Sequence, residues 1–585
     1  MALPSPRTLL VDRGGLIALA ALIAYVWLAP TYIVDGDGAE FATLGTVGGV
    51  AHPTGYPAYL LWLRATSWLP GVSPAHTTAI ATAILAAIQL VVLHAACRAW
   101  GARSTAATFA VAIYAAGPLA MRYSSQAEVF ALNQLVVATV LYLAARGGPL
   151  RGGLRLAALG LVAGIGLADH MTCVLVAPVG ILGAIRGVSE ARRKPAAAAV
   201  GIAALVVGLA PYAYLLLTRE NAVSWNTFDG AGDLIDHVLR RAYGGPGAFS
   251  PGAAGQLDVA ANLAAFAASL GRGWCWIPAL AGLAMLGVRC VRPGGAEPRI
   301  GWQMLALAFV LAGPALAARF DIAPTGLALY AIRRFHLLPT LILAPAVACA
   351  FEVVVARYQA RLRPGVASAI AVLGFATAAL TALPELLRMR TPAVEHAMRG
   401  LLRGMPAGAV VLGFGDIPYF GTGYLQVACG ERPDVVYVFW RSVTIHWYRD
   451  RLARRGIVVE TTAAGTPSVR LADQILASGR PLFVDLSLGN ILAAFPSYPY
   501  GTLFRVLPRG QARPSLDEVA AINRDWFAAL DLDYPHPGLD DEYPTFIHDG
   551  YAATWQIIAD GYTAAGRPAA AADAIRRMND LAPWP

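Results

Sequence analysis

The sequence predicts a polytopic α-helical membrane protein with a C-terminal extracytoplasmic α/β domain that ends in a helical hairpin. Three observations predict it. The 585-residue chain is 57% hydrophobic and only 14% charged, where soluble domains carry about 25% charged residues. Apolar stretches near spanning length, about 20 residues, recur as far as residue 384. After about Arg390 the pattern changes to short apolar runs alternating with helical segments, the mark of a small α/β domain.

The expected spans are 15–33, 76–96, 105–121, 126–145, 153–169, 171–187, 196–217, 272–290, 302–319, 328–351 and 366–384, about eleven in all. Arg7 and Arg13 precede the first, and no small-residue cleavage site follows it, so it reads as a retained span. Basic residues then mark every second loop: Arg98 and Arg103; Arg146, Arg151 and Arg155; Arg186, Arg192, Arg193 and Lys194; Arg289, Arg292 and Arg299; Arg357, Arg361 and Arg363. By the positive-inside rule the N-terminus is cytoplasmic. Residues 34–75, 218–271 and everything after about 388 then lie outside. Abundant alanine, glycine and arginine with little lysine fits a high-GC bacterial genome, and so a bacterial inner membrane and a periplasmic C-terminal domain.

The net charge of +9 belongs to these loops; no basic stripe with interleaved aromatics marks a nucleic-acid partner. The six cysteines are scattered, with no CxxC or Cys/His cluster for zinc. The division of the chain reads as a transmembrane domain 1–388 with its first outer loop at 34–75, an α/β domain 389–510 and a helical segment 511–585. Strands are expected within 407–416, 432–439 and 480–487. The stretch 551–581 reads as two short helices around Gly566-Arg567-Pro568, resembling one tetratricopeptide-type hairpin.

The unusual polar residues gather on the outer side. The first outer loop holds Asp35, Asp37, Glu40 and His52; the loop before the fourth span holds Arg122, Glu128 and Asn133; Asp169-His170 joins the fifth and sixth spans. Asp229, Asp233, Asp236 and His237 follow the seventh, and Arg333-Arg334 open the tenth. Carboxylates and cations near lipid are costly and point to function. A transferase on that face has no cytosolic ATP or nucleotide sugar, so its donor must arrive on a lipid carrier. A polyprenyl-phosphate sugar meets that need. Inverting transfer from it needs a carboxylate base for the acceptor hydroxyl and cations for the departing phosphate. Asp37 or Glu40 suits the first role, Arg333 and Arg334 the second. Asp37 and Glu40 also read as an N-cap and its third-position partner. The carboxylates are compatible with a divalent metal, though nothing in their spacing demands one. Asp35 reads as a solvated loop carboxylate, His52 as part of a shaped turn, and Asp416 as a loop cap or, after its strand, a ligand-binding position.

The stretch "DGAEF…AHPTGYPAY" resembles the first-loop pattern of glycosyltransferase family 117, a membrane family that includes an animal endoplasmic-reticulum protein O-mannosyltransferase. "SSQAEVFALN", "GIGLADHMT", "RRFHLLP" and "GDIPYFGTGYLQVACGERPDVVYV" resemble later segments of that family. Ala39, Thr54 and Asp169 depart from its pattern. The resemblance implies a GT-C architecture, a lipid-phosphate sugar donor and an extracytoplasmic hydroxyl acceptor on a protein or glycan, with a hexose such as mannose transferred. It favours Asp37 as catalytic base with Glu40 as second carboxylate, and His52, Tyr56, Glu128, His170, Arg333 and Arg334 as substrate-binding residues. Asp35 lies outside the motif. Two rival readings are a transporter or flippase of a lipid-linked or small anionic solute, which should show internal repeats and broken helices, and a non-catalytic membrane scaffold.

Overall fold

The computed structural model describes residues 13–218, 220–226, 228, 230–241, 245, 258–292, 295–358, 366–460, 467–539 and 542–584. Arg7, Asp229, Arg361 and Arg363 lie outside these described residues. Among the described residues, four helical stretches, Pro74–Ala99, Met171–Glu190, Lys194–Leu217 and Val372–Gly404, are long and apolar enough to cross a membrane. Counting three bent pairs as single spans raises this to seven, and four shorter apolar helices accompany them: Arg13–Leu28, Phe130–Ala144, Gly152–Leu167 and Arg299–Ala315. Large apolar side chains such as Leu16, Ile23, Ile202, Val206 and Leu380 are exposed, as a lipid-facing surface requires.

The chain folds into two compact units. The first comprises Met1–Thr31, Val50–Arg219 and Phe228–Arg390; the second comprises Tyr32–Gly49, Glu220–Thr227 and Thr391–Pro585.

The first unit is helical. Glycines set its closest packing. A Cβ on Gly164 would fall 2.3 Å from the Leu205 carbonyl oxygen, so helices Gly152–Leu167 and Lys194–Gly208 meet backbone to backbone, the contact small residues permit in membranes. Helix Ser104–Ala116 turns by 69° into Pro118–Ser124, because Pro118 has no N–H to continue the ladder. The expected span 272–290 is corrected. Helix Val259–Gly273 ends there and Ile277–Val291 leaves at 106°. Cys275 and Trp276 turn the corner with φ of 54° and 56°. The buried Trp274 donates its indole N–H to the Thr340 carbonyl at 3.1 Å. Hydropathy sums over such a corner without registering it.

Some of the loop arginines are held in ion pairs. Buried Glu297 accepts the Arg146 backbone N–H at 2.8 Å and pairs with Arg186 at 2.6 Å. Buried Arg155 pairs with Glu190 at 2.9 Å.

The second unit is built on a five-stranded sheet of β1 (Val410–Gly413), β2 (Val436–Phe439), β3 (Leu482–Val484), β4 (Ser497–Tyr500) and β5 (Leu503–Val506), in the order β2-β1-β3-β5-β4. β1 is parallel to β2 and β3; β5 is antiparallel to β3 and β4. Strands β4 and β5 were not expected. Pro499 argues against a strand, and is accommodated because β4 is the edge. The helical hairpin turns at Gly566-Arg567-Pro568, between Glu542–Ala564 and Pro568–Leu581.

Helix Gly38–Val47 packs on Asp416–Val427 within this unit. The connecting strap 220–226 is tied at both ends. Asn221 donates to the Gly48 carbonyl at 2.7 Å, and Glu220 pairs with Arg451 at 2.8 Å and Arg454 at 2.6 Å. The Ile33 N–H donates to Glu395 at 2.9 Å.

Candidate active site

In the second unit, Asp37 stands at the N-cap of Gly38–Val47, its carbonyl accepting the Phe41 N–H at 3.0 Å. The expected side-chain cap does not form: the Asp37 carboxylate makes no capping bond. Its φ and ψ of −87° and 2° depart from the extended geometry that turns an N-cap side chain back onto the helix. Glu40, in the first turn, is fully buried, an expensive position for a carboxylate. It lies in the electrostatic neighbourhood of Tyr419, whose hydroxyl is raised by burial first and by the Glu40 charge in addition, and is hydrogen-bonded to the Ala222 carbonyl at 3.3 Å. Asp35 is also corrected: it is 6% exposed, a buried carboxylate and not a solvated one. Its burial is set by the tertiary fold, which local sequence does not report.

In the first unit, the stretch "AHPTGYP" folds into a turn closed by Gly55 N–H donating to the His52 carbonyl at 2.8 Å. Tyr56 adopts a left-handed φ of 45° and Pro57 opens the next helix. The Tyr56 hydroxyl lies 3.0 Å from His52 Nε2, and its ring stacks on His170, centroids 5.8 Å apart at 19°. His170 also meets Phe130 at 5.2 Å and Phe335 at 6.1 Å. The Arg334 guanidinium sits over both of those phenyl rings, 5.8 Å from each, a cation–π arrangement worth about 0.5–2 kcal/mol. Thus His52, Tyr56, His170 and Arg334, spread over 283 positions of sequence, are joined by one run of rings.

His170 is oriented from its other side. Its Nδ1 lies 3.3 Å from the Thr172 backbone N–H and 2.8 Å from Thr172 Oγ1. Asn133 donates to Thr172 Oγ1 at 2.8 Å. Phe130, Thr172 and Phe335 were not singled out from sequence, since aromatic and threonine side chains in apolar helices read as core. Glu128 and Asp169 are fully buried. Both act electrostatically on Tyr59, whose hydroxyl is raised, by burial first, and is bonded to Thr82 at 2.6 Å. Neither carboxylate oxygen of Asp169 has a hydrogen-bond partner among the described residues.

Arg333 does not share the setting of Arg334. It ends helix Gly326–Arg333 and lines a cleft with Arg272, Glu385 and Ser269, because successive residues on a helical turn point about 100° apart. His237, from the second long outer segment, donates Nε2–H to the Ala51 carbonyl at 3.0 Å, and burial pulls its imidazole down to about 3. It braces the turn instead of joining an acidic cluster. Asp236 forms an exposed pair with Arg241 at 2.5 Å. Among the described residues no three His, Cys, Asp or Glu side chains are grouped to hold a metal ion.

Residues 37–191 match the family model described as the protein O-mannosyl-transferase TMEM260 N-terminal domain. Over those residues this chain is similar to that family. The mouse (Mus musculus) protein O-mannosyl-transferase TMEM260 is 24% identical over 464 residues, covering 76% of this chain. The chain spans 64% of the length of that relative. Two crystal structures of ArnT from Cupriavidus metallidurans share its fold. The one bound to undecaprenyl phosphate has a TM-score of 0.52 at 13% identity, covering 86% of this chain and 99% of ArnT. The apo form has a TM-score of 0.51 at 12% identity, covering 86% and 98%. The chain is therefore a polytopic helical membrane protein that shares the fold of ArnT. The matched segment contains Asp37, Glu40, His52, Tyr56, Glu128 and His170, whereas Arg333 and Arg334 lie beyond it.

Proposed function

We propose that the protein is a GT-C glycosyltransferase that moves a sugar, a hexose such as mannose, from a polyprenyl phosphate to an extracytoplasmic hydroxyl on a protein or glycan. The observation that carries this reading is the match of residues 37–191 to the TMEM260 N-terminal domain, which takes in both first-loop carboxylates and the ring-linked His52, Tyr56 and His170. The ArnT crystal structure with undecaprenyl phosphate supports a lipid-phosphate donor. Basic alternate loops support an inner-membrane protein with both long outer segments and the C-terminal domain outside the cytoplasm.

On this reading Asp37, at a helix start without a capping bond, takes the proton of the acceptor hydroxyl as its oxygen attacks the anomeric carbon. The bond from that carbon to the phosphate oxygen breaks with inversion, and the polyprenyl phosphate leaves with the bonding pair. Arg334 holds the departing phosphate charge, with Arg333 as a further cation, and Glu40 orients Asp37. His52, Tyr56, Glu128 and His170 position the sugar phosphate. A positioned general base contributes about 10²–10⁴-fold, so Asp37→Asn should lower transfer from a radiolabelled polyprenyl-phosphate mannose by at least about 100-fold. Full transfer by that variant would refute the role of Asp37.

A further inference from the structure

We propose that the cleft of the first unit lined by Ser269, Arg272, Arg333 and Glu385 holds the headgroup of a phosphatidylethanolamine-type lipid, its phosphate on the two guanidiniums and its ammonium on the carboxylate and the hydroxyl. The site is separate from the rings around His170 and does not rest on the transferase reading, in which Arg333 is only a further cation.

Two helix corners build the cleft. Pro118 opens the helix that follows the 69° bend, and Gly273 ends the helix that precedes the 106° bend; both line the cleft, with Leu119. A Cβ on Gly117 would fall 2.9 Å from the Gly273 carbonyl oxygen, so the two corners meet backbone to backbone. Arg272 stands one residue before its corner, Arg333 ends helix Gly326–Arg333, and Glu385 lies about one turn before the end of helix Val366–Met389. Ser269 Oγ lies 2.9 Å from His336 Nδ1, which fixes the hydroxyl in the cleft wall. Two cations, one carboxylate and one hydroxyl from three helices thus line one space, all at helix ends or corners.

The surroundings select a lipid. Trp276, Ile277 and Leu280, just beyond Arg272, are exposed, and so are Leu380 and Leu387, which bracket Glu385. Large apolar side chains exposed on the same elements that carry the charges are what a bilayer covers. A tryptophan beside an arginine at a helix corner marks the depth at which headgroups lie. The charges select the headgroup. Guanidiniums take phosphate oxygens through charge-assisted hydrogen bonds. Glu385 in the same cleft disfavours a headgroup that brings a phosphate alone, and most of all the more highly charged phosphate monoester of a carrier lipid. An ammonium on the same headgroup turns that repulsion into a hydrogen bond. It must carry N–H groups, because the carboxylate only accepts. A quaternary choline brings none, so the primary ammonium of an ethanolamine headgroup fits best.

The test is native mass spectrometry of the full-length protein titrated in detergent with phosphatidylethanolamine, phosphatidylglycerol and phosphatidylcholine of identical acyl chains, without any sugar donor, so the transfer activity does not enter. The wild type should bind phosphatidylethanolamine about tenfold more tightly than either of the others, the worth of one charge-assisted hydrogen bond. Glu385→Gln should bring phosphatidylethanolamine and phosphatidylglycerol to equal affinity. Arg272, exposed at its corner, gives a second arm: Arg272→Ala should weaken all three lipids about tenfold with its thermal midpoint held. Equal binding of phosphatidylethanolamine and phosphatidylglycerol by the wild type, a preference that survives Glu385→Gln, or unchanged binding in Arg272→Ala would overturn the proposal. Displacement of the lipid by excess inorganic phosphate would overturn it in favour of a free-anion site.

Discussion

The Tyr56 hydroxyl lies 3.0 Å from His52 Nε2, closing the turn that also presents the Tyr56 ring to His170. The bond ties two motif residues into one object. Tyr56→Phe keeps the ring stack and loses the bond, so it should lower kcat/KM for a polyprenyl-phosphate sugar about tenfold, with the thermal midpoint held. Tyr56→Ala loses both and should fall at least tenfold further. Equal activity of the Phe and Ala variants would show that the stack contributes nothing.

The two consecutive arginines should separate in mutagenesis. Arg334 lies over Phe130 and Phe335, a planar stacking that lysine does not reproduce. Arg334→Lys should lower kcat/KM for the donor about 10–100-fold. Arg333→Lys, in its cleft beside Arg272 and Glu385, should cost less than about fivefold. Steady-state kinetics on both variants would check this; the reverse order would contradict the geometry.

His237 makes the turn at Ala51 pH-sensitive. Its folded pKa is about 3, below the ordinary value near 6.5. The stabilisation is therefore complete above about pH 6.5 and is lost progressively as pH falls toward 3, because only the opened state binds the proton. The slope is about 1.4 kcal/mol per pH unit in that window. Hydrogen exchange of residues 50–57, corrected for intrinsic rates, should show protection falling between pH 7 and 5. In His237→Ala the protection should be low at both pH values. An unchanged slope in that variant would assign the effect to another group.

Packing in the first unit gives a prediction independent of chemistry. Gly164→Val would set a branched side chain where a single Cβ already falls 2.3 Å from the Leu205 carbonyl oxygen. Overpacking of this kind costs about 1–3 kcal/mol. Thermal scanning in detergent should register a midpoint several degrees lower, whereas Gly287→Ala, with open space at its Cβ, should leave it unchanged.

The spans were legible because lipid imposes a composition on about 20 residues at a time, and each expected span overlaps an apolar helix or bent pair. The corner at Cys275 and Trp276 was not, since two left-handed residues leave hydropathy unaltered. Three sheet strands showed as apolar runs, while the edge hairpin of Pro499 and Gly501 offered no such run. The first-loop motif was legible as polar residues in an apolar setting. Phe130, Thr172 and Phe335 were hidden because their roles depend on what they face.

By itself, the sequence determined a membrane-embedded helical chain with a soluble end, and an acidic first loop, because hydropathy and charge act locally along the chain. Only tertiary structure decided how those residues are grouped. It folded Asp37 and Glu40 with the C-terminal unit, and His52, Tyr56, His170 and Arg334 with the helical one. It buried Asp35, parted Arg333 from Arg334, and turned His237 onto a backbone carbonyl. The physical reason is that burial, stacking and hydrogen bonding join residues remote in sequence, and no local pattern records which partner each will meet.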